Sequence, residues 1–406
     1  RRRHRHRGPA PVTSAAPLRD RAAIVGLGAT EFSKESGRSE LRLAVEAVAA
    51  ALADAGLEPS DVDGMVTFTQ DSNPEIEIAR NLGVGGLTFF SRIHHGGGAA
   101  CATIQQAAMA VACGVAQVVV CYRAFNERSG GRFGVGVQDR PPAPNAEGAH
   151  FSWYSPFGLV TPAQWVAMFA TRYMHEYGAT SEDFGLVAVA DRRHAASNPK
   201  AWFHGQPITL DEHQASRWIV EPALHLLDCC QESDGGQALV VTSIDRARDL
   251  PQPPAVVRAA AQGTADEQDM MTSYFRPSIT GLPEMGVVAR QLWRASGIGP
   301  DDVQTAVLYD HFTPFVLVQL EEFGFCGRGE AKHFVSDGAI EVGGRLPVNT
   351  HGGQLGEAYI HGMNGIAEGV RQVRGTAANQ VEGVEHVLVT AGTGVPTSGL
   401  ILGRDR

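Results

Sequence analysis

Val348-Asn349-Thr350-His351-Gly352-Gly353-Gln354-Leu355-Gly356-Glu357-Ala358-Tyr359-Ile360-His361-Gly362-Met363-Asn364-Gly365 joins an extended entry, two adjacent glycines and a segment that becomes helical by Ile366. A glycine-rich turn that opens a helix leaves backbone N–H groups unpaired, and these favour a developing oxyanion. Five polar side chains crowd the same segment: His351, Glu357, Tyr359, His361 and Asn364. A structural turn needs the glycines but not these side chains, so the segment is a candidate functional site.

Length and composition limit the possible classes of protein. The chain has 406 residues, 43% of them hydrophobic, and 47 glycines, which predicts a compact α/β protein of two domains or one duplicated unit. Its net charge of −10 argues against nucleic acid as a partner, because a phosphate-binding face needs clustered Lys and Arg. The one basic run is Arg1-Arg2-Arg3-His4-Arg5-His6-Arg7, in a leader over residues 1–19 that we expect to be disordered.

Neither a membrane nor a metal is expected as a partner. No stretch approaches the roughly 20 apolar residues of a membrane span, and the leader lacks the apolar core of a signal peptide. The six cysteines (101, 113, 121, 229, 230 and 326) show no CxxC spacing, which predicts reduced thiols in a cytoplasmic protein. Gly96-Gly97-Gly98 lacks the spacing of phosphate-binding and dinucleotide-binding loops, so we expect no bound cofactor.

Two motifs occur twice along the chain. Gly56-Leu57-Glu58-Pro59-Ser60-Asp61-Val62 is repeated as Gly297-Ile298-Gly299-Pro300-Asp301-Asp302-Val303, each time between a helical pattern and a strand pattern. His95-Gly96-Gly97 is echoed by His351-Gly352-Gly353, each expected to open a small-residue helix. This duplication predicts two similar halves built from right-handed βαβ units. We place the first half at 20–250, with a loop insertion at about 126–222, and the second at 251–406.

With this duplication the chain resembles the thiolase superfamily over about residues 20–405. Within that superfamily it resembles the sterol carrier protein x/lipid-transfer-protein branch. Ser233-Asp234-Gly235-Gly236-Gln237-Ala238 is similar to the Asp-Gly-Ala segment that closes the first half in this family. The resemblance implies a duplicated thiolase fold with five layers, α-β-α-β-α, and a homodimer.

The motifs that carry thiolase chemistry are largely replaced. Cys101 lies about where the family has its nucleophilic cysteine. Tyr309-Asp310-His311-Phe312 occupies the position of the Asn-Glu-Ala-Phe motif, and Ala358-Tyr359-Ile360 that of the Gly-His-Pro motif. Thr390-Ala391-Gly392-Thr393-Gly394 takes the place of the loop with the second cysteine and contains no cysteine. Two catalytic positions have therefore become tyrosine.

These replacements change the expected reaction. Thiolysis needs a thiolate and a proton relay through imidazole, whereas paired phenols beside an enolate-stabilising turn suit retro-aldol cleavage. The pattern resembles the steroid side-chain aldolases of bacterial sterol degradation. That resemblance implies cleavage of 17-hydroxy-3-oxo-pregnene-20-carboxyl-CoA to a 17-keto steroid of the androstenedione type and propionyl-CoA. It also implies a partner, the acyl-CoA-binding OB-fold domain of an enoyl-CoA hydratase.

We predict Tyr309 and Tyr359 to be the acid–base pair, and leave open which of them is the base. A phenol has an ordinary pKa of about 10, so a basic tyrosine needs nearby positive charge or hydrogen bonds. The supporting or oxyanion-stabilising candidates are His311, Asp310, His351, His361, Cys101 and Gly392. No metal ligand and no cofactor-binding residue is assigned, since CoA is part of the substrate.

Two other functions remain open at this point. The first is a thiolase-type acyltransferase that uses Cys101 as its nucleophile. The second is a non-catalytic acyl-CoA-binding scaffold for a partner hydratase. Cys101 also fits a simple structural position, because a small thiol packs well at a tight helix start.

Overall fold

The computed structural model describes residues 17–94, 96–134, 146–269, 273–392 and 397–405. Three sequence predictions fall wholly or partly outside these ranges. They concern residues 1–16 of the basic leader, His95 of the first glycine turn, and Thr393-Gly394 of the last loop.

The described residues form eleven strands and thirteen α-helices. The strands are β1 (Ala22–Ala29), β2 (Gly64–Phe68), β3 (Phe89–Ile93), β4 (Val118–Asn126), β5 (Trp218–Val220), β6 (Leu224–His225), β7 (Asp234–Ser243), β8 (Ala255–Gly263), β9 (Thr305–Val307), β10 (His386–Ala391) and β11 (Thr397–Arg404). The helices are α1 (Glu40–Ala55), α2 (Glu75–Leu82), α3 (Ala100–Ala112), α4 (Ala146–Phe151), α5 (Pro162–Tyr177), α6 (Ser181–Ser197), α7 (Leu210–Ala215), α8 (Ile244–Ala247), α9 (Pro283–Ser296), α10 (Thr313–Glu322), α11 (Ala331–Phe334), α12 (Gly353–Gly356) and α13 (Met363–Arg374).

The main sheet shows the duplication directly. Its strand order is β3-β2-β4-β7-β1-β8-β11-β10-β9. From β2 inward the order is β2, β4, β7, β1, and from the other end it is β9, β10, β11, β8, so these eight strands form four pairs of counterparts, and β3 adds a ninth strand at one edge. The pairs β2–β4 and β9–β10 are parallel, and the chain enters β4 through α3 and β10 through α13. The predicted pair of βαβ halves is confirmed.

Side-chain alternation divides the strands between three cores. On β4, Val118 and Val120 pack in the core beneath α1, whereas Val119 and Cys121 pack in a central core with α3 and α13. On β10, Val389 faces that central core from the other half, and the opposite face of the second half packs against α9. Because successive residues of a strand point to opposite faces, this gives the layers α-β-α-β-α. The predicted thiolase-type layering is confirmed.

The repeated Gly-x-x-Pro motif has the same structure in both halves. Gly56 ends α1 and Gly297 ends α9, each in the left-handed region with φ of 66° and 72°. A single 3₁₀ turn follows, with Pro59 or Pro300 at its first position, and leads into β2 or β9. Glycine after the helix and proline at the next helical start are the residues that these positions favour.

One prediction about the segment 348–365 is wrong in its placement. The pair Gly352-Gly353 opens only the single turn α12, and the long helix α13 begins at Met363. Gly362, with φ of 83°, is the glycine that allows the turn into α13. Across the described ranges, every helix is too short or too polar to cross a membrane.

Candidate active site

A cavity of about 810 Å³ has walls from both halves of the fold. Its volume lies within the range of small-molecule sites. Much of the wall is apolar: Phe125, Phe133, Phe151, Trp165, Ile219, Leu226 and Phe312. A polar corner is formed by Gly96, Gly97, Gly98, Tyr309, His311, Tyr359, His361 and Gly392. Five of the eight predicted site residues therefore line one cavity.

The two predicted tyrosines meet in this corner. Their hydroxyl oxygens lie 3.2 Å apart, within hydrogen-bond distance, although the residues are 50 positions apart in the chain. Tyr309 is buried, and Tyr359 is partly accessible from the cavity. The structure therefore brings the pair together, and their assignment as acid and base remains a prediction.

Tyr309 is held by its backbone at the end of β9. Its N–H faces Thr390 Oγ1 at 2.9 Å and Gln319 Oε1 at 3.2 Å, and Gln319 Nε2 donates to its carbonyl oxygen at 2.9 Å. A Cβ atom on Gly97 would lie 1.7 Å from the Tyr309 hydroxyl oxygen. The hydroxyl thus occupies the space that any side chain at residue 97 would need.

Tyr359 is tied to the end of the first half. Its N–H donates to Ser233 Oγ at 3.2 Å, and it forms an isolated parallel bridge with Glu232. Its ring lies beside His361, with ring centroids 4.5 Å apart. The Ser233-Asp234 segment recognised in the sequence therefore holds one of the two phenols.

Both phenols are neutral in the free enzyme at ordinary pH. Burial raises the pKa of Tyr309, and the hydrogen bond with Tyr359 opposes this rise. Burial also raises the pKa of Tyr359, and the negative charge of an ionised Tyr309 would raise it further. If one phenol ionises during turnover, these environments favour Tyr309.

His311 and His351 do not supply the positive charge that a phenolate would need. Burial lowers the pKa of His311 to about 3 and that of His351 to about 4, so both rings are neutral. His311 lines the cavity, and its ring is stacked on Phe315. His351 is not among the wall residues, and its Nε2 lies 3.9 Å from Glu357 Oε2. The role of these two histidines as supporting residues stays a prediction, without a contribution from positive charge.

His361 is also neutral, for a different reason. The buried Arg123 directs Nη2 and Nε at His361 Nδ1, at 2.7 and 3.1 Å. A guanidinium can only donate hydrogen bonds, so Nδ1 must accept and the ring proton belongs to Nε2. The nearby cation is thus Arg123, which the sequence analysis did not select.

Asp310 faces away from the cavity and binds the start of α12. Its Oδ1 accepts from the N–H of Gln354 at 2.9 Å, and its Oδ2 from the N–H of Leu355 at 3.1 Å. The anion site expected at Gly352-Gly353 is therefore occupied by a carboxylate of the protein itself. The prediction that this turn can bind a substrate oxyanion is wrong.

The other glycine turn remains available to a substrate. Gly96, Gly97 and Gly98 lie on the cavity wall, next to Gly392. A Cβ on Gly392 would lie 2.1 Å from Gly98 Cα, so glycine is needed for this close approach. Amides at such a turn are candidates for stabilising an oxyanion.

Cys101 is separated from this chemistry. Its side chain is fully buried, its Sγ lies 3.7 Å from the carbonyl oxygen of Val389, and it is not a wall residue. Burial raises the pKa of the thiol well above its usual range. A nucleophilic thiolate would have to face the cavity, and Cys101 does not.

Sequence reasoning also missed the buried cation Arg123 and several residues of the cavity wall. Arg123 and Glu127 lie within and just after the apolar strand β4, and a charge there requires a partner, which is a signal that could have been used. Cys229 and Cys230, to which the sequence analysis gave no role, are partly exposed free thiols on the cavity wall. In the part of the chain that the structure describes, no group of three or more His, Cys, Asp or Glu is arranged to hold a metal.

Comparisons with known proteins agree on one family. The family model "Thiolase C-terminal domain-like" matches residues 265–404. The chain is 72% identical over 385 residues to the steroid side-chain-cleaving aldolase of Thermomonospora curvata, covering 95% of this chain and 98% of the relative. It is 71% identical over 387 residues to the 17-hydroxy-3-oxo-4-pregnene-20-carboxyl-CoA lyase of Mycobacterium tuberculosis, covering 95% and 100%.

Solved structures show the same likeness. A structure described as Ltp2-ChsH2(DUF35) aldolase has a TM-score of 0.91 and 71% identity, over 96% of this chain and 99% of that chain. Human mitochondrial 3-ketoacyl-CoA thiolase in complex with CoA has a TM-score of 0.68 and 16% identity, over 97% and 100%, which is a likeness of fold.

Proposed function

Because this chain belongs to the steroid side-chain-cleaving aldolases of the thiolase superfamily, we propose that it cleaves 17-hydroxy-3-oxo-4-pregnene-20-carboxyl-CoA to a 17-keto steroid and propionyl-CoA. It is a carbon–carbon lyase of the aldolase class. The observation that carries the proposed mechanism is the contact of the Tyr309 and Tyr359 hydroxyls, 3.2 Å apart, inside the cavity.

Two neutral phenols in contact can move a proton without a stable phenolate. The substrate hydroxyl gives its proton to one phenol oxygen, that phenol passes its own proton to the other, and the second phenol protonates the carbon beside the thioester. The bond between the hydroxyl-bearing carbon and that carbon breaks, and its electron pair becomes the new carbon–hydrogen bond by way of the enolate. Both tyrosines are restored, so the raised pKa values of the phenols do not prevent the reaction.

The glycine turn supports the same step from the other side of the cavity corner. When the carbon–carbon bond breaks, negative charge develops on the thioester oxygen. Amides at Gly96-Gly97-Gly98 and Gly392 line the wall next to the phenols and are proposed to stabilise that charge. The aromatic wall suits the fused apolar rings of a steroid.

We also propose how the chain assembles. A structure that is 71% identical is described as Ltp2-ChsH2(DUF35) aldolase, which supports a partner of the same kind here. The proposed partner is the acyl-CoA-binding OB-fold domain of an enoyl-CoA hydratase. The proposed assembly contains a homodimer of this chain, acts in the cytoplasm and uses no cofactor beyond the CoA of its substrate.

The test is propionyl-CoA release from the steroid thioester, with this chain co-produced with the partner hydratase. Tyr309→Phe and Tyr359→Phe should each lower kcat by about 10³-fold, because each removes one link of the proton relay. Tyr122→Phe is the matched control, since this buried hydroxyl donates to the Asn73 carbonyl at 2.9 Å outside the cavity.

Cys101→Ala separates the alternatives and should keep most of the wild-type rate. Loss of activity in Cys101→Ala, with retention in both tyrosine variants, would establish the acyltransferase instead. Full activity of the complex in both tyrosine variants would show that the phenols are not catalytic. A wild-type complex that forms but releases no propionyl-CoA would leave the scaffold function.

A further inference from the structure

Glu127 is a buried carboxyl group on the cavity wall that the proposed mechanism does not use. It follows β4 directly, and only 1% of its surface is exposed. Its position is fixed by the next two residues, because the N–H groups of Arg128 and Ser129 donate to Asp234 Oδ1 at 2.9 and 3.0 Å. Glu127 is therefore placed by a rigid turn and not by contacts of its own side chain.

One oxygen of this carboxyl group lacks a hydrogen-bond partner in the part of the chain that the structure describes. Its buried Oε2 accepts no hydrogen bond there, and His361 Nδ1 is 4.0 Å away. That nitrogen already accepts from Arg123, so it carries no proton that it could donate to a carboxylate. A buried polar group without a partner is costly, and in a substrate cavity it indicates that the partner is the substrate.

Its surroundings favour the neutral acid. The charged and titratable groups that interact with it from the neighbouring elements are Lys34, Arg123, Cys230, Glu232, Asp234, Tyr309, Tyr359 and His361. Burial raises the pKa of Glu127 well above its usual range, Arg123 opposes this rise, and the negative charge of Glu232 adds to it. A neutral carboxylic acid has an O–H group that can donate a hydrogen bond.

Glu127 lies at the reacting end of the cavity. Glu127 and Tyr359 both lie beside the His361 ring: Glu127 Oε2 is 4.0 Å from His361 Nδ1, and the centroids of the Tyr359 and His361 rings are 4.5 Å apart. In the proposed substrate, the thioester carbonyl is two bonds from the carbon that bears the hydroxyl. The 3-oxo group is at the far end of the ring system. With the hydroxyl on the phenols, the carbonyl that comes near Glu127 is that of the thioester.

The geometry points to Glu127 as a further catalytic residue, which donates a hydrogen bond to the thioester oxygen as that oxygen becomes an enolate. No bond to Glu127 forms or breaks, because the protons of the reaction travel through the tyrosines. A neutral buried carboxylic acid is a known donor to enolate oxygens in enzymes. This inference rests on the proposed function, because it needs the same substrate and the same enolate.

The experiment compares Glu127→Gln with Glu127→Leu in the co-produced complex, with propionyl-CoA release from the steroid thioester as the assay. Glutamine keeps an N–H donor in nearly the same volume, and its kcat should stay within about tenfold of wild type. Leucine removes the donor, and its kcat should fall by about 10²- to 10³-fold, the usual effect of deleting one oxyanion donor. Thermal unfolding checks that each variant is folded.

A pH profile supplies a second readout that a purely structural role would not change. The wild-type kcat should fall on the alkaline side as Glu127 ionises, and Glu127→Gln should lack this fall. Glu232→Gln is the matched control and should keep the fall, moved to lower pH because the charge of Glu232 raises the pKa of Glu127. Glu232 already has partners, since Oε2 pairs with Arg132 at 2.6 Å and Oε1 accepts from the N–H of Gly134 at 2.8 Å.

The two proposals fail in different ways. Equal rates for Glu127→Gln and Glu127→Leu, in an enzyme that needs Tyr309 and Tyr359, would overturn the role of Glu127 alone. An alkaline fall that persists in Glu127→Gln would do the same, and it decides the matter if the leucine variant does not fold. A wild-type complex without propionyl-CoA release would overturn the proposed function and this inference with it.

Discussion

The two glycine turns of this chain are equivalent in sequence and opposite in use. Gly96-Gly97-Gly98 precedes α3 and lies on the cavity wall, beside the hydroxyl of Tyr309. Gly352-Gly353 opens α12, and the N–H groups of the next two residues, Gln354 and Leu355, donate to the carboxylate of Asp310. Both turns follow from the same duplication, yet only one of them faces the place where a substrate can bind.

The difference shows how a duplicated motif acquires two roles. A helix start attracts an anion wherever it occurs, because its first N–H groups have no partner within the helix. In the second half the protein supplies that anion, Asp310, and the turn becomes part of the core. Among the described residues of the first half, no carboxylate is bound to the turn, and the missing side chain at Gly97 makes room for a phenol from the other half.

The largest effect is expected from Gly97→Ala, which adds a single methyl group at the first turn. A Cβ in Gly97→Ala would lie 1.7 Å from the Tyr309 hydroxyl oxygen, so the hydroxyl must move and its contact with Tyr359 must break. We expect kcat for propionyl-CoA release to fall by about 10³-fold or more, as in Tyr309→Phe. The temperature of thermal unfolding should change little, because the phenol can shift into the cavity.

The same substitution at the second turn should mainly lower stability, whereas Gly97→Ala should mainly lower kcat. Gly353 has φ of 64°, and its Cβ would lie 2.0 Å from Asp310 Oδ2. Gly353→Ala should therefore lower the free energy of unfolding by about 1–3 kcal/mol through backbone strain and a disturbed cap. A Gly97→Ala enzyme with full activity would contradict the assignment of the first turn to the tyrosine pair.

The fold could be predicted because its signals are local. Glycine at the helix ends, proline at the following turn and continuous apolar strands each depend on a few neighbouring residues, and they recur in both halves. The exception is the start of α13. There the glycine pair at 352–353 looked like the helix start, but the chain makes an extra turn and a second glycine, Gly362, takes that role.

The site could be predicted only in part, because side-chain direction alternates along an extended segment. Tyr309 and His311 reach the cavity, whereas Asp310 between them points to α12. Arg123 and its partner His361 are 238 positions apart, so no local pattern reveals their contact. The positions of the motifs identified the two tyrosines. The direction in which each neighbouring side chain points is known only from the folded chain.

Asp310→Asn tests whether the second turn is structural. The carboxylate accepts from two backbone amides, and an asparagine would place an N–H donor against one of them. We expect the free energy of unfolding to fall by about 3 kcal/mol, the upper range for a hydrogen bond to a charged group, as measured by denaturant titration. The kcat of the folded fraction should stay within about tenfold of wild type. Unchanged stability with lost cleavage would instead place Asp310 in the chemistry.

The last effect concerns pH and His351, the first residue of the second His-Gly-Gly motif. Burial lowers its pKa from 6.5 to about 4, so between these pH values the unfolded chain binds a proton at His351 and the folded chain does not. This contribution to stability is complete above pH 6.5 and is lost as the pH falls towards 4. Each pH unit in that window is worth about 1.4 kcal/mol, so lowering the pH from 8 to 5 should destabilise wild type by about 2 kcal/mol more than His351→Gln. The free energy of unfolding of both proteins at the two pH values measures this difference. If both proteins lose the same free energy of unfolding, the second turn tolerates a charged His351 ring. It would then not be the closed, purely structural counterpart of the first turn.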